Sequence, residues 1–97
     1  MLIGVATFEL HLPHSRSLKE KRRVVKGVID RLHARFRISI MESAMHDLHQ
    51  RAEIGLAFVA GSDGQAERML AELRRSVEAS GEATLTIWDD RILEGVG

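Results

Sequence analysis

The chain has 97 residues, of which 14 are basic and 14 are acidic, with no Cys and a single Pro. Domains commonly run to about 100–150 residues, so the length predicts one domain over residues 1–97. The absence of Cys excludes a disulfide scaffold, a thiol nucleophile and a thiolate metal site. No apolar run approaches the roughly 18 residues of a membrane span, and we expect a cytoplasmic protein without a membrane partner. Asn is absent and Gln occurs only twice, a composition that favours a thermostable protein.

The first strand and helix of the sequence are predicted from two different periods. Residues 2–12 alternate between apolar and polar side chains until Pro13, which is typical of a half-buried strand. Ser17 and Glu20 then have the spacing of a capping box. Apolar residues at helical spacing follow, and they predict a helix from about residue 18 to 36.

The same two periods continue through the rest of the chain. We predict, in order, a strand at 38–41, a loop at 42–50, a strand at 52–60, a helix at 66–77, a strand at 83–88 and a loose tail at 91–97. The resulting order is βαββαβ, and right-handed crossovers place both helices on one face of a sheet. We therefore expect an α+β, ferredoxin-like sandwich whose four-stranded antiparallel sheet has the strand order 4-1-3-2.

The zero net charge is unevenly distributed along the chain. Residues 16–37 contain nine basic and two acidic side chains, a net charge of +7 that the other residues offset. A strongly basic face is expected for a protein that binds a polyanion, although a solvated helix face has the same composition. The residues predicted to bind nucleic acid or another anion are Arg16, Lys19, Lys21, Arg22, Arg23, Lys26 and Arg51.

A second group of polar residues is predicted at one end of the sheet. In the expected topology, the loop after the first strand lies beside the loop that joins the second and third strands. This end collects His11, His14, His46, Asp47, His49 and Gln50. The histidine spacings match no metal motif, so we predict no metal and no cofactor, and a small-anion or metal site here is kept only as an alternative.

The sheet face without helices is predicted to carry an apolar patch with the only Trp. The patch contains Ile3, Val5, Ala57, Val59 and Trp88. Contiguous exposed apolar surface usually marks an interface, which favours a homodimer through this face. Phe8 and Phe58 have the parity of core residues, so the face is not expected to stack RNA bases. No arrangement of side chains indicates catalysis, and we predict that the protein is not an enzyme.

Four stretches of the sequence resemble the small bacterial YlxP-like family. They are IGV at residues 3–5, HLP at 11–13, SLKEKRRVVK at 17–26 and DLHQRA at 47–52. The resemblance covers nearly the whole chain, and the stretch at 17–26 is fairly specific. This chain departs from the family's second motif at His49, where we expect Trp, and the departure removes any stacking role there.

The resemblance implies a ferredoxin-like fold but no activity, because the function of the family is unknown. Genes of this family tend to lie among genes for translation and ribosome maturation, which implies an RNA- or ribosome-associated role. Together with the basic first helix, this predicts a small non-enzymatic domain that binds RNA or a ribosomal surface. The alternatives are a module that docks an acidic protein and a small-anion or metal binder at the His-rich loops.

Overall fold

A computed structural model describes residues 1–96 and contains six elements in the order βαββαβ. They are β1 (Leu2–His11), α1 (Leu18–Arg35), β2 (Ser39–Ala44), β3 (Arg51–Ala60), α2 (Asp63–Glu78) and β4 (Thr84–Glu94). The strands pair antiparallel in one sheet with the order β2-β3-β1-β4. This is the predicted order counted from the other edge, and the ferredoxin-like fold is confirmed.

Serine caps fix the beginnings of both helices. The Oγ of Ser17 accepts a hydrogen bond from the backbone N of Glu20 at 3.1 Å, and Oε2 of Glu20 accepts one from the backbone N of Arg16 at 2.7 Å. Ser62 caps α2 in the same way, by accepting from the backbone N of Gln65 at 3.1 Å. The bonds from the backbone N of Glu20 and of Gln65 satisfy N–H groups that the first turn of each helix leaves unpaired. The cap predicted from the spacing of Ser17 and Glu20 is therefore present.

The core lies between the sheet and the two helices. Phe8 and Leu10 of β1 pack in one cluster with Val28 and Leu32 of α1 and Leu73 of α2, and each is 2 % exposed or less. Because one cluster contains residues from both helices, both helices cover the same face of the sheet. The opposite face, which we call the open face, has no helix over it. Within residues 1–96, no helix is both long enough and apolar enough to cross a membrane.

The last strand is longer than the sequence predicts. β4 continues to Glu94, which pairs with Leu2 at the start of β1. The backbone N of Gly95 also donates a hydrogen bond to the carbonyl of Met1 at 2.8 Å. The prediction of a loose tail from residue 91 is therefore wrong, since β1 supplies a pairing edge over its whole length. Gly97 lies outside the described residues.

A β-bulge in β4 reverses the faces of the residues that follow it. Glu9 pairs with Ile87, whereas Leu10 pairs with Leu85, so Thr86 is an additional residue. An additional residue shifts every later side chain to the other face of the sheet. Ile87 is consequently 56 % exposed on the open face.

The same bulge moves Trp88 away from the predicted apolar patch. Trp88 pairs with Phe8, and the two rings stack on the helix-covered side with their centroids 5.3 Å apart. The indole Nε1 donates a hydrogen bond to Oδ2 of Asp90 at 2.6 Å. Including Trp88 in the open-face patch was wrong, because uninterrupted alternation through β4 does not account for a bulge.

Candidate nucleic-acid interface

Five of the predicted basic residues are exposed on the first half of α1 or just before it. They are Arg16, Lys19, Arg22, Arg23 and Lys26, which we call the α1 basic surface. The helix presents them to solvent because Val24, Val25 and Val28 turn the opposite side of α1 toward the sheet. The basic residues and the buried stripe thus occupy different sides of one amphipathic helix.

The ion pairs on the α1 basic surface are exposed. Arg23 lies 3.3 Å from Glu82, and Lys26 lies 2.5 Å from Asp30 in the next turn. All four side chains are 59 % exposed or more, and such pairs contribute only about 0–1 kcal/mol. Either basic residue can therefore exchange its carboxylate for a phosphate at little cost.

Lys19 and Arg22 have no such partner. Neither residue belongs to any of the ion pairs formed within residues 1–96. Both lie in the first two turns of α1 and are exposed. Arg16 also belongs to none of these ion pairs, so Arg16, Lys19 and Arg22 are the cations of this surface that a polyanion would meet without displacing a carboxylate.

Lys21 does not belong to the α1 basic surface. Its side chain is 1 % exposed, and its Nζ lies 2.8 Å from Oε2 of Glu42. The same Nζ donates a hydrogen bond to the carbonyl of Met45 at 2.5 Å. The expectation that Lys21 contacts an anionic partner is therefore incorrect, because the charge is enclosed between α1 and the sheet.

Glu42, which pairs with Lys21, lies in β2 and not in the predicted loop. It faces Ile54 of β3 across the ladder, so it continues the helix-facing side of the strand after Ile38 and Ile40. The alternation of apolar and polar residues in β2 is not visible at this position of the sequence, because a carboxylate occupies the inward-facing site. A buried carboxylate is tolerated there because Lys21 pairs with it. The loop after β2 consequently begins at Met45.

Arg51 is also separated from the α1 basic surface. It pairs with His11 at the end of β1, and its guanidinium forms an ion pair with Glu9, with Nε donating to Oε1 at 2.6 Å. Glu9 faces away from the helices, because its neighbours Phe8 and Leu10 belong to the core. Arg51 therefore neutralises a carboxylate on the open face.

The two polar loops meet at one end of the sheet, as predicted. The backbone carbonyl of Gln50 accepts a hydrogen bond from the N of Leu12 at 2.9 Å. Its side-chain Nε2 donates to the carbonyl of Ser15 at 3.2 Å and lies 3.5 Å from that of Pro13. Gln50 thus connects the β2–β3 loop to the loop that precedes α1, and its amide is occupied in structural bonds.

The histidines at this end do not form a shared site. His11, His14, His46, His49 and Asp47 are all exposed. Nε2 of His46 lies 3.1 Å from the backbone carbonyl of Glu42, in the strand that precedes the loop. Within residues 1–96, no group of three or more His, Asp and Glu side chains is arranged to hold a metal ion. The loops meet, but their imidazoles do not converge on one point.

The apolar patch on the open face has a composition different from the predicted one. Ile3 pairs with Val59 and Val5 pairs with Ala57, which confirms that these four residues are neighbours. Val59 is 66 % exposed. Leu93, which pairs with Ile3 from the other side and is 46 % exposed, takes the place that Trp88 was expected to fill.

Comparison with known proteins finds relatives over most of the chain. Residues 3–89 match a family described as "Protein of unknown function (DUF503)". The chain is also 35 % identical over 86 residues to "Uncharacterized protein YlxP" of Bacillus subtilis (strain 168), covering 89 % of this chain and 94 % of that protein. The family match spans every element from β1 to the centre of β4. The chain therefore belongs to the DUF503 family, to which the resemblance of its sequence motifs had pointed.

Proposed function

We propose that this protein is a non-enzymatic, cytoplasmic RNA-binding domain that contacts RNA, free or in the ribosome, through the α1 basic surface. The observation that carries the proposal is the pair of exposed cations at Lys19 and Arg22, which have no carboxylate partner within residues 1–96. Basic side chains that replace the counterions of a nucleic acid are the main source of sequence-independent affinity.

The surface favours a nucleic-acid backbone over an acidic protein. Protein interfaces usually have an apolar centre that supplies most of the affinity. Among the exposed large apolar side chains of residues 1–96, none lies on α1. A polyanion needs no apolar centre, so charge alone is sufficient for it.

The contacts expected here are with phosphates and not with bases. Single-stranded RNA is usually read by aromatic side chains that stack on its bases. Phe8 and Phe58 are 1 % and 5 % exposed, as the sequence predicted, and Trp88 stacks on Phe8 under the helices. We therefore expect binding that depends weakly on RNA sequence and strongly on salt.

The proposal is tested with a labelled single-stranded RNA and two double variants of equal charge. Lys19→Gln with Arg22→Gln removes two of the unpaired cations, whereas Arg68→Gln with Arg74→Gln removes two exposed charges from α2. Affinity is measured by anisotropy between about 50 and 200 mM salt. We expect the first variant to lower the slope of log affinity against log salt by about 1.4, since each single-stranded phosphate contact contributes about 0.7.

The α2 variant is the matched control and should retain most of the affinity. An equal loss in both variants would mean that net charge alone determines binding. If the unmodified protein does not bind RNA even at the lowest salt, the RNA proposal is wrong, and an acidic protein becomes the partner to search for.

A homodimer through the open face is a second, separate proposal. Val59 and Leu93 are 66 % and 46 % exposed on this face, on either side of Ile3. Arg91 is the next residue to Leu93 on this face of β4, and the oppositely charged Asp89 follows it, so two copies related by a two-fold axis would present complementary charges. In sedimentation experiments, Val59→Glu should convert a dimer to a monomer. A parent protein that sediments as a monomer at high micromolar concentration would contradict the dimer proposal.

A further inference from the structure

A groove of about 440 Å³ runs between the C-terminal halves of α1 and α2. Its floor includes Leu32, which is fully buried, and its walls contain three arginines and one glutamate. The lining residues other than Leu32 are Arg31, Arg35, Glu72, Arg75, Ser76 and Ala79. The sequence offered no site here, because the three arginines come from two elements that are about 40 residues apart in the chain.

The arginines of the groove have no carboxylate partner of their own. None of the ion pairs within residues 1–96 includes Arg31, Arg35 or Arg75. Glu72 is the only acidic residue in the lining, so the groove carries an excess of two positive charges. Three guanidinium groups thus share a concave surface in which each leaves donors free for a ligand.

Arg35 is held in place before any ligand arrives. Its Nη1 donates a hydrogen bond to Oγ of Ser76 at 3.2 Å, which links α1 to α2. Its Cζ also lies 5.2 Å from the centre of the Phe36 ring, within the range of a cation–π contact. Fixing a long side chain in advance lowers the entropy lost on binding.

Helix dipoles explain only part of this arrangement. A basic residue in the last turn stabilises the negative end of a helix, and Arg35 and Arg75 occupy the last turns of α1 and α2. The effect falls off within one turn. Arg31 lies more than a turn before the end of α1, yet it lines the same groove.

We infer that this groove binds a phosphoryl group. Arginine forks match the oxygens of phosphate in two-point hydrogen bonds, and an excess of two positive charges suits a dianion. The inference does not depend on RNA binding by the α1 basic surface. Arg31 is twelve residues beyond Lys19, which places it about 18 Å farther along the helix axis.

Two probes separate the possible sources of the phosphoryl group. Inorganic pyrophosphate represents a small phosphorylated molecule, and a single-stranded RNA oligonucleotide represents a phosphodiester backbone. Each is titrated by calorimetry at about 50 mM salt into the parent, into Arg31→Gln with Arg75→Gln, and into Lys19→Gln with Arg22→Gln. All four substituted side chains are exposed, and a thermal unfolding curve verifies that each variant folds.

We expect saturable pyrophosphate binding that weakens by about tenfold or more in the Arg31 and Arg75 variant. The Lys19 and Arg22 variant should stay within about twofold of the parent. Loss of oligonucleotide binding alone, confined to the groove variant, would also support the site and would identify a phosphodiester as its ligand.

Two results would overturn the inference. In the first, neither probe binds the parent. In the second, the groove variant loses no more affinity than the Lys19 and Arg22 variant for either probe. RNA binding that is lost only in the Lys19 and Arg22 variant, together with a parent that binds no pyrophosphate, would support the α1 basic surface while excluding the groove, so the two proposals fail separately.

Discussion

Two lysines five residues apart on α1 show how differently the two sides of this helix use charge. Lys21 on the sheet side is 1 % exposed, whereas Lys26 on the solvent side is 75 % exposed. Each forms an ion pair, with Glu42 and Asp30 respectively. In a charge count along the sequence the two residues are equivalent, but only the exposed one is available to a partner. A basic segment therefore overstates its binding surface by the charges that it buries.

The buried pair also has a structural consequence that the exposed pair lacks. The Nζ of Lys21 bonds to the carbonyl of Met45, which has a φ of 65° and begins the loop between β2 and β3. A left-handed backbone costs a residue other than glycine about 1–2 kcal/mol. The bond from Lys21 helps to hold this turn and connects the first turns of α1 to the end of β2.

The largest effect that we predict is from Lys21→Met, which keeps the length of the side chain and removes its charge. The substitution leaves the Glu42 carboxylate, 17 % exposed, without its cation and the Met45 carbonyl without its donor. Breaking a buried pair from one side commonly costs about 3–5 kcal/mol, and the partial exposure of Glu42 places the expected loss at about 3 kcal/mol. Urea unfolding measures this loss in the free energy of unfolding, and a loss below about 1 kcal/mol would contradict a structural role for the Lys21–Glu42 pair.

Removing both charges should destabilise the protein less than removing the charge of Lys21 alone. Replacing a buried pair with apolar residues of similar volume is often neutral or stabilising. We expect Lys21→Met with Glu42→Leu to recover most of the loss, to within about 1 kcal/mol of the parent. A double variant as unstable as Lys21→Met would show instead that the bond to the Met45 carbonyl carries the effect.

Much of the fold was predictable because its local signals agree with one another. The spacing of Ser17 and Glu20 marked the start of α1, and the order of strand and helix periods was enough to determine the sheet topology. Four members of the apolar patch were also correct, since β1 and β3 pair without a bulge. Where the alternation of apolar and polar residues continues without a bulge, the sequence is enough to predict on which face of the sheet each side chain lies.

The errors arose where the deciding interaction lies between distant residues. Thr86 looks like any other strand residue, and only its pairing with β1 shows the bulge that turns Trp88 inward. Lys21 did have a usable signal, because it lies four residues before Val25 on the buried stripe. Recognising it requires pairing it with Glu42, which is 21 residues farther along the chain. Arg51 carried no comparable signal, since its partner Glu9 is known only from the register.

The smallest effect is predicted for Lys26→Met, which is the solvent-side counterpart of Lys21→Met. The pair with Asp30 has both side chains exposed, and a lysine that precedes its acidic partner by four residues is the less favourable orientation on a helix. We expect the free energy of unfolding in urea to change by no more than about 0.5 kcal/mol. We expect a similarly small change in about 1 M salt. RNA affinity at low salt should nevertheless fall, because Lys26 belongs to the proposed contact surface. A loss of stability close to that of Lys21→Met would mean that the two sides of α1 do not differ in the way described above.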